Sequence, residues 1–197
     1  MVFVNYLEKS LEFKIIYYGP GLSGKTTNLD YIYSKLPEAT RGPFTTIPTQ
    51  SERTLFFDFM PMGLGKINDY DVKLSLYTVP GQVFYSASRK LILKGVDGVI
   101  FVADSQSDRL DANIESIRDL KENLLDYKID FANLAYILQL NKRDLATALP
   151  VPVLIKELQQ KGEPVIDAVA SQGVGVFKTL KMTVKFVLQK VKSLKGE

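Results

Sequence analysis

Apolar runs and amphipathic segments alternate along this chain. Gly98–Ala103 and Leu134–Leu140 are almost continuously apolar, which is typical of strands buried on both faces of a parallel sheet. In Thr27–Leu36 the apolar residues recur at the i, i+3, i+4 and i+7 positions of an amphipathic helix. The remaining predicted strands are Phe13–Tyr18, Leu55–Met60, Val72–Val79 and Pro164–Val169, and the remaining predicted helices are Asn113–Asp126, Val153–Gln159 and Val176–Leu194.

Strands that alternate with helices predict one doubly wound α/β domain over residues 1–197, with right-handed crossovers and helices on both faces of the sheet. The turn-rich segment Pro61–Asp71 separates Leu55–Met60 from Val72–Val79 and indicates an antiparallel pair. We therefore expect a mostly parallel six-stranded sheet with one antiparallel edge strand. Arg41–Ser51, which is rich in Pro, Thr and Gly, is expected to be a loop.

Composition narrows the class of protein. The net charge is +3, with 25 basic residues against 22 acidic ones, which argues against a nucleic-acid partner. The sequence has no Cys and no His, so disulfides, thiolate or imidazole metal sites and Ser–His or Cys–His catalysis are excluded.

The sequence also bears on localisation. With Val2 at the second position and no Cys, we expect no lipid anchor. Without a signal peptide or a long apolar span, we expect a cytoplasmic protein. Any localisation to a cell pole would depend on its partners. The last predicted helix carries a basic stripe, which is expected to be a solvated face or, at most, to make a weak peripheral contact with anionic membrane. The stripe consists of Lys178, Lys181, Lys185 and Lys192.

A phosphate-binding motif lies between the first strong strand and the first helix. Residues 19–26 read G-P-G-L-S-G-K-T and match the P-loop pattern G-x-x-x-x-G-K-[ST] in full. Backbone N–H groups of such a loop curl around phosphate oxygens, and the helix N-terminus adds its positive dipole. We expect Lys25 to neutralise the phosphates and the Thr26 hydroxyl to bind Mg²⁺. The predicted phosphate-binding residues are Gly19, Pro20, Gly21, Leu22, Ser23, Gly24, Lys25, Thr26 and Thr27.

A second motif selects the base. Asn141-Lys-Arg-Asp144 follows the buried strand Leu134–Leu140. A carboxylate at Asp144 offers two acceptors to the N1–H and 2-amino group of guanine, whereas adenine presents no such pair of donors. Asn141 is expected to tie this loop to the P-loop, and the Lys142 stem to cover the base.

Ala170, just after the last predicted strand, is expected to offer a backbone N–H to guanine O6, with Ser171 supporting the loop. An ATP-dependent small-molecule kinase remains an alternative. It explains residues 19–26 but leaves Asn141–Asp144 unused.

A family resemblance rests on three longer strings, Tyr17–Asn28, Glu52–Phe59 and Tyr77–Gln82. Together with the two motifs, they resemble the MglA family of bacterial mutual-gliding, Ras-like GTPases over nearly the whole chain. The resemblance implies a Ras-like P-loop fold, GTP binding and hydrolysis with Mg²⁺, and a role in cell polarity and gliding motility. It also implies polarity or motility effectors and an activating partner of the roadblock/LC7 class, similar to MglB.

The same resemblance assigns the switch residues. Gly81 takes the place where a backbone N–H meets the γ-phosphate, and Gln82 the place of the residue that orients the attacking water. Thr54 corresponds to the threonine of the first switch that binds Mg²⁺. Arg53 is either a solvated loop residue or an arginine finger supplied in cis. Thr78 stands where most Ras-like proteins carry Asp, so we expect Mg²⁺ to depend on the other ligands.

Two functions remain open at the sequence level. One is a GTP-hydrolysing switch, which Gln82 and Arg53 favour. The other is a GTP-binding scaffold with negligible hydrolysis, for which Thr78 leaves room.

Overall fold

The computed structural model describes residues 3–5, 8–48, 56–67, 69–81 and 86–194. The strands are β1 (Phe3–Asn5), β2 (Ser10–Tyr18), β3 (Thr45–Pro48), β4 (Phe56–Ile67), β5 (Tyr70–Thr78), β6 (Gly98–Asp104), β7 (Ala135–Asn141) and β8 (Val165–Asp167). The α-helices are α1 (Lys25–Lys35), α2 (Ser86–Leu93), α3 (Leu110–Asp126), α4 (Val151–Leu158) and α5 (Val176–Leu194).

The strands form one sheet in the order β3-β4-β5-β2-β6-β7-β8, with β1 beside the first residues of β2. One side of the sheet is parallel throughout: the pairs are β5–β2, β2–β6, β6–β7 and β7–β8. The pairs β3–β4, β4–β5 and β1–β2 are antiparallel. Because the central strands are parallel, the loops after β2, β6, β7 and β8 open at one edge of the sheet, where ligands of such folds bind.

Helices cover both faces of the sheet, and the pleat of β2 divides its side chains between two cores. Ile15 and Tyr17 pack in the core that includes residues of α1 and α5. Ile16 and Tyr18 pack in the core that includes residues of α2, α3 and α4. Strands β6 and β7 are buried along their whole length, as their continuous apolar runs predict.

The predicted fold class is confirmed, and the sheet is larger than the predicted six strands. Thr45–Pro48, inside the segment expected to be a loop, pairs with β4 as the edge strand β3. Strand β4 is therefore not the edge. β4 also continues to Ile67 through the segment expected to be a turn, with a register shift between Gly63 and Lys66. Glycines at a β-bulge allow this continuation.

Helix α2 follows the Pro-Gly-Gln segment and was not predicted, since the buried Ile92 and Leu93 form too short a pattern to identify a helix. Within the described ranges, no helix combines the length and apolar character needed to span a membrane.

Candidate functional site

The P-loop connects the end of β2 to the start of α1. Gly24 caps the helix with a left-handed backbone, φ 98°, and a Cβ added there would lie 2.2 Å from Asn141 Nδ2. Only glycine therefore fits both the backbone angle and the close approach of the base motif. Ser23 is fully buried, whereas Leu22 is 87% exposed and projects away from the core.

The Lys25 side chain folds back over the P-loop. Its Nζ donates hydrogen bonds to the carbonyl oxygens of Gly19 at 2.9 Å and Pro20 at 2.6 Å. An ammonium has three donors, so the two bonds hold the charge at the mouth of the loop with a further N–H to offer to a phosphate oxygen. Burial, and next the positive charge of Arg89, lower the pKa of Lys25 to about 7, while the Asp58 carboxylate raises it.

This lowered pKa predicts that nucleotide binding weakens as the pH rises. An adjacent phosphate favours the charged ammonium, so binding takes up a proton wherever Lys25 is neutral beforehand. The affinity for GDP should be constant well below the pKa of about 7 and fall roughly tenfold by about pH 8, by linkage. Titration of a fluorescent GDP analogue at several pH values measures this.

Lys25→Arg, whose side chain stays charged, is the control and should show a flat profile. A wild-type profile as flat as that of Lys25→Arg would contradict the prediction.

Thr26 lies against a carboxylate that the sequence motifs do not include. Its Oγ1 donates a hydrogen bond of 2.7 Å to Asp58 Oδ2 on β4. Thr78 on β5 donates to the same oxygen at 2.9 Å and accepts a hydrogen bond from the Asp58 backbone N–H. Asp58 is only 4% exposed. The negative charge absent at Thr78 is therefore supplied by the neighbouring strand.

These residues fit a magnesium ion. Mg²⁺ binds oxygen ligands, usually one or two protein groups together with substrate phosphates. Thr26 and Asp58 place a hydroxyl and a carboxylate oxygen beside the P-loop. A second acid, Asp30, lies near enough that burial and then the Asp58 charge raise its pKa. The charges of two nearby carboxylates favour a cation in their vicinity.

Asn141 joins the base motif to the P-loop. Its Nδ2 donates to the Ser23 carbonyl oxygen at 2.8 Å, and its Oδ1 accepts from the Ala170 backbone N–H at 2.9 Å. The side chain therefore holds the loops after β2, β7 and β8 together at the C-terminal edge of the sheet. This is the role that the sequence predicts for it.

The other predicted base-site residues lie at the same edge. The Arg143 N–H donates to the Ala168 carbonyl at 3.1 Å. This bond holds the loop of Asp144 next to the loop of Ser171. Asp144 and Ser171 are both exposed. Lys142 has a left-handed backbone, φ 63°. The donor predicted to contact guanine O6, the Ala170 N–H, is bonded to Asn141, so that contact stays a prediction and would have to share this donor.

The predicted switch residues are only partly described. A Cβ added to Gly81 would lie 2.4 Å from the Gly21 nitrogen, so the start of the second switch lies directly against the P-loop. Gln82, Arg53 and Thr54 lie outside the described residues, and their predicted roles stay predictions.

Sequence reasoning missed two acids and one arginine around these loops. Asp58 is the only charged residue in the apolar run Leu55–Met60, and that isolation was an available signal. Asp104, at the end of β6, pairs with Lys142 at 2.6 Å. Arg109 donates to the Gly21 carbonyl at 2.9 Å. No pattern in the sequence marks these last two residues.

The fold and this site define a Ras-like P-loop protein of the small GTPase class. None of the protein-family models compared with the chain matches it. The mutual gliding-motility protein MglA of Myxococcus xanthus (strain DK1622) is 53% identical over 192 residues, which cover 98% of this chain and 98% of that protein. The chain therefore belongs to the MglA family.

Proposed function

We propose that this chain is a molecular switch that binds GTP and GDP with Mg²⁺ and hydrolyses GTP. The observation that carries the proposal is the hydrogen bond from Asn141 to the Ser23 carbonyl at 2.8 Å. It places a guanine-type base motif beside a complete P-loop, so one ligand can span both. A kinase that used ATP would need the P-loop alone.

Magnesium would be held by Thr26 and Thr54. Asp58 would accept a hydrogen bond from a group that binds the ion. The ion, when bound, neutralises charge that develops on the phosphates. Asp58 supplies a buried carboxylate that Thr78 does not. This weakens the case for a scaffold without hydrolysis, which rested on Thr78.

Hydrolysis would rely on a small set of side chains. Lys25 would neutralise phosphate charge, Gln82 would orient the attacking water, and Arg53 would stabilise the charge on the transferring group. We expect slow turnover by the chain alone and faster turnover with a roadblock-domain activator similar to MglB. The name of the Myxococcus relative refers to mutual gliding motility, and we extend that role, with bacterial cell polarity and its effectors, to this chain.

Two measurements test the proposal. In a competition assay with a fluorescent guanine nucleotide, GTP and GDP should displace the probe and ATP should not. Single-turnover hydrolysis should be slow alone and accelerated by a roadblock-domain protein. Equal competition by ATP would reject the guanine site. No hydrolysis with or without the partner would favour the scaffold.

Asp58→Asn should weaken Mg²⁺ binding and so raise the Mg²⁺ concentration that nucleotide retention requires. The amide keeps the shape but loses the charge that faces Thr26. The Mg²⁺ concentration for half-maximal nucleotide retention should rise roughly tenfold, the effect of losing one charge-assisted interaction, while binding in EDTA stays unchanged. Nucleotide release during Mg²⁺ titration is the measurement.

Asp71→Asn is the matched control, because Asp71 is exposed at the opposite end of the parallel strands and is paired only loosely with Lys66 at 4.0 Å. It should titrate like the wild type. If Asp58→Asn also behaves like the wild type, Asp58 does not support the ion.

A further inference from the structure

We propose that Asp104 is a positioning residue. It holds Lys142 at the base motif and, through Arg109, it holds the part of the P-loop around Gly21. The inference rests on the proposed guanine-nucleotide site and adds to it a residue that belongs to neither motif. Asp104 would not touch the nucleotide. It would act through the Lys142 and Arg109 side chains, which lie at the site.

Strand pairing places Asp104 beside the base motif. It is the last residue of β6 and lies opposite Asn141 in the parallel register with β7. The Asn113 side chain on α3 accepts from its backbone N–H at 3.0 Å and donates to its carbonyl at 2.8 Å. The backbone N–H and carbonyl of Asp104 are therefore both held by the Asn113 amide, which fixes the position from which its carboxylate extends.

The carboxylate anchors Lys142. The distance from Lys142 Nζ to Asp104 Oδ2 is 2.6 Å, with the Asp104 side chain only 1% exposed. The left-handed backbone of Lys142, φ 63°, turns the residue after the strand. A lysine stem is otherwise flexible and costly in entropy to order. An anchored ammonium leaves the methylenes in one place, as a side chain that covers a base requires.

The same carboxylate reaches toward the P-loop. Arg109 Nε lies 3.9 Å from Asp104 Oδ2, and the Arg109 guanidinium donates to the Gly21 carbonyl at 2.9 Å. Gly21 in turn lies directly against Gly81. Asp104 thus connects the base motif to the wall of the P-loop that faces the second switch.

Burial makes this connection sensitive to charge. A buried carboxylate is stable only when cations and hydrogen bonds compensate it. Besides Lys142 and Arg109, the backbone N–H and Nε2 of Gln106 donate to Asp104 Oδ1, each at 3.2 Å. Asparagine would keep the shape and accept some of these bonds, but it would hold the Lys142 ammonium only by a neutral amide oxygen, without the stronger charge-assisted pair.

The test is a double-mutant cycle on the full chain. Asp104→Asn and Lys142→Met should each weaken binding of a fluorescent GDP analogue roughly tenfold, mainly through faster dissociation. The double variant Asp104→Asn/Lys142→Met should lose clearly less affinity than the product of the two single losses, because Asp104 acts largely through Lys142. Any further loss beyond that of Lys142→Met reports the longer contact with Arg109. A residue with only a structural role would instead give additive losses.

Asp108→Asn is the matched control. It removes the same charge from an exposed position in the loop after β6 and should bind like the wild type. If Asp104→Asn fails to fold by circular dichroism, Lys142→Arg replaces it. A guanidinium still pairs with Asp104, so this variant should stay within about threefold of the wild type while Lys142→Met does not.

The outcomes separate the two proposals. A wild-type chain that binds no guanine nucleotide rejects the proposed function. A wild-type chain that binds, combined with unchanged affinity in Asp104→Asn or with additive losses in the double variant, overturns the role of Asp104. Unchanged affinity in Lys142→Met overturns it as well.

Discussion

Asp144→Asn should change the base that the protein accepts. The carboxylate offers two acceptors, which match the two donors of guanine, whereas an amide offers one acceptor and one donor. Xanthine, with a 2-oxo group in place of the amino group, matches that amide. A polar site rejects a ligand that leaves its groups unpaired by roughly 10⁴-fold or more, so the ratio of affinities for GDP and xanthosine diphosphate should move by that order. The chain has no Trp, so competition against a fluorescent nucleotide analogue is the practical measurement.

Asp167→Asn provides the control for this prediction. Asp167 is an exposed acid at the end of β8, on the same edge of the sheet, and its substitution should leave the preference for guanine intact. Equal loss of both nucleotides in Asp144→Asn would mean that the residue supports the loop but does not read the base.

The parts of the site that the sequence predicted are encoded locally. The P-loop needs only a strand, a glycine-rich turn and a helix start, and all of these lie within residues 13–36. Asn141 is the last residue of β7, a strand that the nearly continuous apolar run Leu134–Leu140 makes easy to identify. Its bond to Ser23 could be predicted because the ends of parallel strands meet at one edge of the sheet.

The parts that were missed depend on register between strands. Asp58 meets Thr26 and Thr78 because Phe59 pairs with Tyr77 across the β4–β5 hairpin. The expected turn over residues 61–71 left that pairing undefined, since a hairpin's register follows from its turn. The actual hairpin extends to Ile67, past two glycines and a bulge. Similarly, Asp104 reaches Lys142 only through the parallel register of β6 and β7.

The edge strand β3 was missed for a related reason. Thr45–Pro48 is short and lies among turn-forming residues, so its composition favours a loop. Pairing with β4 makes it a strand, and the Gly42 N–H donates to the Pro61 carbonyl at 2.8 Å just before it. Such tertiary hydrogen bonds override local preference.

The largest kinetic effect should come from Arg53 and Gln82. Phosphoryl transfer needs a placed water and positive charge opposite the developing negative charge, and little covalent help from the protein. Lys25 already contributes charge from a fixed position on the P-loop. If Arg53 supplies the rest in cis, the activator need only order the switch and need not donate an arginine.

Arg53→Ala and Gln82→Ala should therefore both keep GTP binding and lower partner-stimulated, single-turnover hydrolysis by roughly 10³-fold or more, the scale of an arginine finger. Arg53→Lys should restore little, because an ammonium lacks the planar fork of donors. Arg118→Ala is the matched control, since it removes an exposed arginine from α3, and it should be stimulated like the wild type. The loss of a charge that stabilises the transition state cannot be silent. Full stimulated activity in Arg53→Ala would therefore transfer the finger to the partner and leave Arg53 as an ordinary loop residue.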